Sequence, residues 1–190
     1  MKAISGPASP LPQVTLVLGG ARSGKSGYAE HLVEACAGGG TYLATAEARD
    51  DEMAARIRDH RARRGRAWRT VEEPLELAAA LARHATRDRP ILVECLTLWL
   101  SNIMAAGCDV ARERERLVEG LRTLAGPVVF VANEVGLGLV PSTPLGRAFR
   151  DEAGRLNQAV AGSAQRVILV VAGLPLTIKD EAENSGTVEQ

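Results

Sequence analysis

One octapeptide constrains this chain more than anything else in it. Gly19-Gly20-Ala21-Arg22-Ser23-Gly24-Lys25-Ser26 fits the pattern GxxxxGK[ST], directly after an apolar run at 14–18 and directly before a helical segment at 26–37. Such glycines let backbone N–H groups close around phosphate oxygens, and the positive end of the following helix adds to their field. The pattern assigns Lys25 to the β- and γ-phosphates and the Ser26 hydroxyl to Mg2+. A chance match in a chain of this length arises about one time in a hundred or less. The strand-before, helix-after context lowers that further, and Lys25 is one of three lysines in the chain. A flexible loop with a chance match is the competing reading, and it leaves that context unexplained.

The rest of the pattern supplies a fold around this loop. Short apolar runs at 14–18, 91–93, 128–132 and 167–172, and a weaker one at 41–45, are nearly continuous rather than alternating. Continuous runs suit strands buried on both faces of a parallel sheet. Segments at 26–37, 51–64, 74–85, 96–105, 111–124 and 144–161 read as helices. Alternation of the two predicts right-handed crossovers and an α/β, three-layer sandwich with a mainly parallel central sheet. Ligands of such sheets lie beyond the carboxyl ends of the strands. Each predicted strand is followed there by polar or glycine-rich sequence: 19–26, 45–47, 94–97, 133–138 and Gly173.

Of 190 residues, 46% are hydrophobic and 24% charged, which excludes disordered and fibrous classes and suits one globular domain. The expected organisation is a flexible extension at 1–13, a catalytic domain at 14–179 and an acidic flexible tail at 180–190. No run is long enough to span a bilayer, and no apolar segment precedes the early prolines, so a cytoplasmic protein without a membrane span is expected. Cys36, Cys95 and Cys108 include no CxxC pair, and reduced thiols are the expectation.

An acidic residue ending a neighbouring strand completes a Mg2+ site beside a phosphate loop, and Glu94 is best placed for it. A carboxylate merely facing solvent is the alternative. Between 56 and 69 stand seven arginines, with His60 in their midst; Glu52, Arg56 and His60 share one helical face. A solvated basic helix is the plain reading. Nucleic-acid binding is disfavoured by zero net charge and 3% aromatic residues. A third reading has the arginines around nucleotide phosphates and His60 performing chemistry. His31 and His84 are most simply structural or exposed.

GGARSGKSGYAE at 19–30, DDEMAARIRDHRARR at 50–64, WRTVEE at 68–73, ECLTLWLSN at 94–102, NEVGLGLVP at 133–141 and RAFRDEAGRLNQ at 147–158 resemble one family in order and spacing. It is the bifunctional adenosylcobinamide kinase/adenosylcobinamide-phosphate guanylyltransferase family of cobalamin biosynthesis, and the likeness covers roughly 14–179. The resemblance implies a RecA-like P-loop NTPase fold. It also implies two reactions: phosphorylation of adenosylcobinamide by ATP or GTP, then transfer of GMP from GTP through a guanylylated histidine to give adenosyl-GDP-cobinamide. The family's histidine falls on His60. Its nucleotide contacts fall on Gly19–Ser26, on Ala44, Thr45 and Ala46, on Arg61, Ala62, Arg63 and Arg64, and on Glu72 and Glu94. Glu94 stands where many members carry Asp. A homo-oligomer, possibly a trimer, is implied as well.

The chemistry agrees with that implication. A largely neutral imidazole can attack phosphorus without a strong base, and covalent catalysis divides one transfer into two displacements. Competing readings are a P-loop kinase of another small molecule, a regulatory GTPase and a nucleic-acid-stimulated ATPase. Asn133-Glu134-Val135-Gly136 in place of an N-K-x-D guanine reader counts against the GTPase.

Overall fold

The computed structural model describes residues 11–46 and 67–181. They form strands β1 (Val14–Gly19), β2 (Thr41–Ala44), β3 (Arg69–Glu72), β4 (Ile91–Glu94), β5 (Val128–Asn133), β6 (Arg166–Val171) and β7 (Leu174–Asp180). The helices are α1 (Lys25–Ala37), α2 (Leu77–His84), α3 (Leu96–Ala105), α4 (Val110–Leu121) and α5 (Pro144–Ser163). One sheet holds all seven strands in the order β3-β2-β4-β5-β1-β6-β7. Every pairing is parallel except β6 with β7.

The near-continuous apolar strands are buried on both faces, as their composition requires. Alternate residues enter different cores. Val17, Leu92, Val129, Val131 and Ile168 pack with Ala29 and Val33 of α1. Leu16, Val93, Val128, Phe130 and Ala132 pack with Leu81 of α2, Trp99 of α3, Leu117 of α4 and Leu156 of α5. The result is the expected three-layer α/β arrangement, with the P-loop strand β1 inside the sheet. Helix starts follow local chemistry: the Asp109 side chain accepts from Arg112 N at α4, and Thr143 accepts from Gly146 N at α5, with Pro144 opening the helix.

Two strands were not anticipated, β3 and β7. Both are edge strands with exposed residues, so neither carries a continuous apolar run. The helix expected at 51–64 lies outside the described residues. Packing and pairing extend a few residues past 14 and 179. Leu11 packs on the α1-side core, and Gln13 O accepts from Val128 N at 2.9 Å. Asp180 closes β7 and pairs with Arg166 at 2.7 Å, while Glu181 N donates to Gln165 O at 2.9 Å. No described helix is long and apolar enough to cross a membrane.

The strand order positions the site. β5 lies between β1 and β4, so the carboxyl ends of all three meet beside the phosphate loop. Register aligns Glu72 with Ala44, Ala44 with Glu94, and Glu94 with Val131. Ala44 and Val131 belong to the α1-side core, so this row of residues faces α1.

Candidate active site

The phosphate loop connects β1 to α1 through backbone that only particular residues allow. Gly24 precedes α1 at φ 95°, the left-handed region that favours glycine. A Cβ there would also lie 3.3 Å from Gly173 Cα. At Gly19 a Cβ would collide with Ser23 Oγ and stand 2.7 Å from Val170 O. The β6–β7 turn holds the loop from outside: Gly173 N donates to Ser23 O at 2.8 Å. Arg22 adopts φ 57° at the exposed tip. The Lys25 side chain is buried. It is 8% exposed, folded back so that Nζ donates to Gly20 O at 3.4 Å.

Ser26 and Glu94 lie far apart in sequence, yet Ser26 Oγ donates to Glu94 Oε1 at 2.7 Å. One hydroxyl and one carboxylate thus converge at the N-terminus of α1, beside the loop. These are hard oxygen donors, and Mg2+ takes few protein ligands, filling its octahedron with phosphate oxygens and waters. The residues fit that ion. Among the described residues no group of three or more His, Cys, Asp or Glu is placed to hold a metal ion.

Behind these groups lies a hydrogen-bonded scaffold. Thr45 is fully buried. Its N–H donates to Glu94 O at 3.0 Å, and its Oγ1 accepts from Cys95 N at 2.9 Å. Asn102 on α3 donates Nδ2 to Thr45 O at 2.7 Å and to Pro74 O at 3.2 Å. The Glu94–Cys95 peptide is cis. Burial, and then the neighbouring Glu94 charge, push the Cys95 thiol up to about 11, so it stays protonated and inert at neutral pH.

The structure therefore brings together Gly19, Gly20, Ala21, Arg22, Ser23, Gly24, Lys25, Ser26 and Glu94. Ala44, Thr45 and Ala46 end the adjacent strand, with the Thr45 side chain engaged in the scaffold. Glu72 stands in the same row on β3, separated from Glu94 by β2. His60, Arg61, Ala62, Arg63 and Arg64 lie outside the described residues. Asn133 opens the 133–138 rim that the sequence places after β5. Asn133 pairs with Gly19 and shares a face with Val131, hence with Glu94 and α1. Its backbone N–H donates to Thr97 Oγ1 at 2.7 Å, while its Oδ1 is buried without a hydrogen-bond partner. Its signal in the sequence was a polar residue closing an apolar run and opening the NEVGLGLVP segment.

Comparison with known proteins bears on the family and the fold. Residues 15–178 match the family model described as cobinamide kinase / cobinamide phosphate guanyltransferase. The chain is 51% identical over 170 residues to the bifunctional adenosylcobalamin biosynthesis protein CobP of Pseudomonas aeruginosa, covering 87% of this chain and 97% of that one. It is 39% identical over 179 residues to the bifunctional adenosylcobalamin biosynthesis protein CobU of Escherichia coli, covering 86% and 98%. Among solved structures, the flagellar accessory protein FlaH of Methanocaldococcus jannaschii superposes with a TM-score of 0.53 at 11% identity, over 90% of this chain and 80% of that one. A protein of Pyrococcus horikoshii OT3 gives 0.51 at 9% identity, over 93% and 91%. These two likenesses concern the fold alone.

Proposed function

The chain belongs to the cobinamide kinase / cobinamide phosphate guanyltransferase family, and we propose that one phosphate loop serves both of its reactions while His60 carries the transferred GMP. It is a bifunctional transferase of adenosylcobalamin biosynthesis, a kinase towards cobinamide and a guanylyltransferase towards cobinamide phosphate. The observation that carries the reading is the Ser26–Glu94 contact at 2.7 Å beside a complete phosphate loop.

In the kinase step the cobinamide hydroxyl oxygen attacks the γ-phosphorus of ATP or GTP and gives its proton to water. The bond to the β-phosphate oxygen breaks, and the nucleoside diphosphate leaves. Lys25, swung from Gly20 O towards the phosphates, and the loop N–H groups neutralise the charge that accumulates on the leaving group. Ser26 and Glu94 would hold Mg2+, which when bound supplies further charge neutralisation to the phosphate oxygens. In the second reaction an imidazole nitrogen of His60 attacks the α-phosphorus of GTP and pyrophosphate leaves. A phosphate oxygen of cobinamide phosphate then attacks the same phosphorus, the N–P bond breaks, and adenosyl-GDP-cobinamide forms with free His60. Arg61, Arg63 and Arg64 supply fixed positive charge for the departing pyrophosphate, and Ala62, Glu72, Ala44 and Ala46 belong to the nucleotide contact surface, with the buried Thr45 holding the strand end from behind. A homo-oligomer is part of the same reading. The exposed Leu174, Leu176 and Ile178 on edge strand β7 give it an apolar face.

GTP labelled at the α-phosphate tests this. Label is expected on the His60 peptide, stable to alkali and released by mild acid as a phosphoramidate requires. Label from the γ-position is not retained by that route. His60→Ala is expected to lose the adduct and guanylyl transfer while keeping nucleotide binding. An adduct mapped to His31, His84 or a lysine moves the nucleophile, and no adduct under turnover conditions removes it.

A further inference from the structure

A corrinoid substrate has a broad apolar face rimmed by amides, and its arm must bring a hydroxyl to the phosphate loop. The described surface beside that loop offers a matching shelf. Leu137, Leu139, Val140 and Leu145 are 86%, 97%, 65% and 71% exposed within nine residues of chain. Exposed apolar side chains this concentrated mark a surface that something covers. Residues 135–146 contain no ionisable group.

The shelf is built rather than loose. It begins at the site, where Asn133 pairs with Gly19 and Glu134 N donates to Gly19 O at 3.0 Å. The Glu134 carboxylate accepts from Gly136 N at 2.6 Å, fixing the first turn. At the far end Arg147 Nη1 donates to Pro141 O at 3.1 Å and to Ser142 O at 2.8 Å. With both ends held, the leucines between them are presented to solvent. The shelf runs into a cavity of about 480 Å³ between α3 and α5, lined by Met104, Leu145 and Phe149 together with the hydroxyls of Ser101 and Thr143. Apolar walls with hydroxyls among them suit a macrocycle whose edge carries amides.

We infer that the loop 134–143 and this cavity seat the corrin macrocycle, so that its arm reaches back along the loop to the phosphate at Gly19–Ser26. The inference rests on the corrinoid reading above and adds the place where the ring is held. Continuity with the phosphate loop selects the substrate over a second copy of the chain. The other apolar patch, on β7, runs from the rim towards the opposite edge of the sheet and suits self-association instead.

The test is the double variant Leu137→Ser/Leu139→Ser, which removes two side chains that contribute almost nothing to the core. Binding of adenosylcobinamide is followed by equilibrium dialysis, read by corrinoid absorbance, alongside kinase kinetics. The expected result is a loss of corrinoid affinity and a rise in its KM of at least about tenfold, with GTP affinity, unfolding midpoint and solution mass unchanged. Unchanged corrinoid binding overturns the seat, and so does a fall in mass, which gives this surface to contacts between copies. Failure of the wild-type protein to phosphorylate adenosylcobinamide sinks the functional reading itself and is visible before any variant is compared.

Discussion

Lys25 is buried but polar at its tip, so Lys25→Met separates charge from packing: the stem's volume stays and the ammonium goes. Kinase turnover is expected to fall about a hundredfold or more, with the unfolding midpoint shifted little; near-normal rates would remove Lys25 from the chemistry. Glu94→Gln makes the complementary change. A carboxamide oxygen still accepts from Ser26 Oγ, so the geometry of that 2.7 Å contact is preserved while one negative charge is lost. The Mg2+ concentration for half-maximal rate is expected to rise, and an unchanged titration places Glu94 outside the metal's surroundings. Cys95 gives a pH signature. Its thiol is pushed up to about 11 by burial and then by Glu94, above its ordinary value, so the folded state holds the proton that the unfolded state releases. The stability this lends is complete below about pH 8.5 and is lost as pH rises towards 11, amounting to about 3 kcal/mol. Wild type is therefore expected to lose more stability than Cys95→Ala between pH 8.5 and 11 in denaturant titrations. Equal losses would show that the thiol is not the titrating group.

At the scale of elements, the phosphate loop is held by neighbours that no sequence motif names. The β6–β7 turn carries Gly173 at φ 80° with its N–H on Ser23 O. Gly173→Ala forces a side chain into that conformation and is expected to weaken GTP binding several-fold while leaving most of the fold's stability. Asn102→Ala acts on the scaffold instead, stranding the carbonyls of Thr45 and Pro74. It is expected to cost about 1–3 kcal/mol, read as a lower urea midpoint with an unchanged slope. The difference in legibility between such elements has a physical origin. β1, β4 and β5 were readable because burial on both faces demands unbroken apolar runs. β3 reads Arg69-Thr70-Val71-Glu72 and β7 contains Pro175 among exposed residues, because an edge strand needs only one paired side. The phosphate loop was readable because all its groups are local in sequence. The particular roles of Asn133 and Asn102 were not, although both lie in segments the sequence singles out, since those roles come from register and from partners 24 to 57 residues away.

For the whole molecule, strand order decides where ligand energy is felt. With β5 between β1 and β4, a nucleotide on the loop touches the carboxyl rim of the central sheet and nothing at its amino end. GTP with Mg2+ binds the folded chain alone, so at a hundred times its Kd it adds about 2.7 kcal/mol to stability. For a domain of this size each kcal/mol raises Tm by about 2–4 °C, and the expected shift is about 5–11 °C. His60→Ala is the background to use, because on the proposed role of His60 it retains no GMP and the shift reports binding alone. Omitting Mg2+ should reduce it, and adding Lys25→Met should remove most of it. Hydrogen exchange then localises the effect, with new protection expected at 19–26, at 133–136 and at Gly173, and none at the amides of Gln13, Ile91 or Val128 and their neighbours at the amino end of the strands. Those neighbours are tied by Val128 N to Gln13 O and Ile91 N to Pro127 O at 2.9 Å each, contacts remote from any phosphate. Protection spread evenly over both edges of the sheet would mean that the nucleotide tightens the fold as a whole, and the assignment of the rim as its seat would fall.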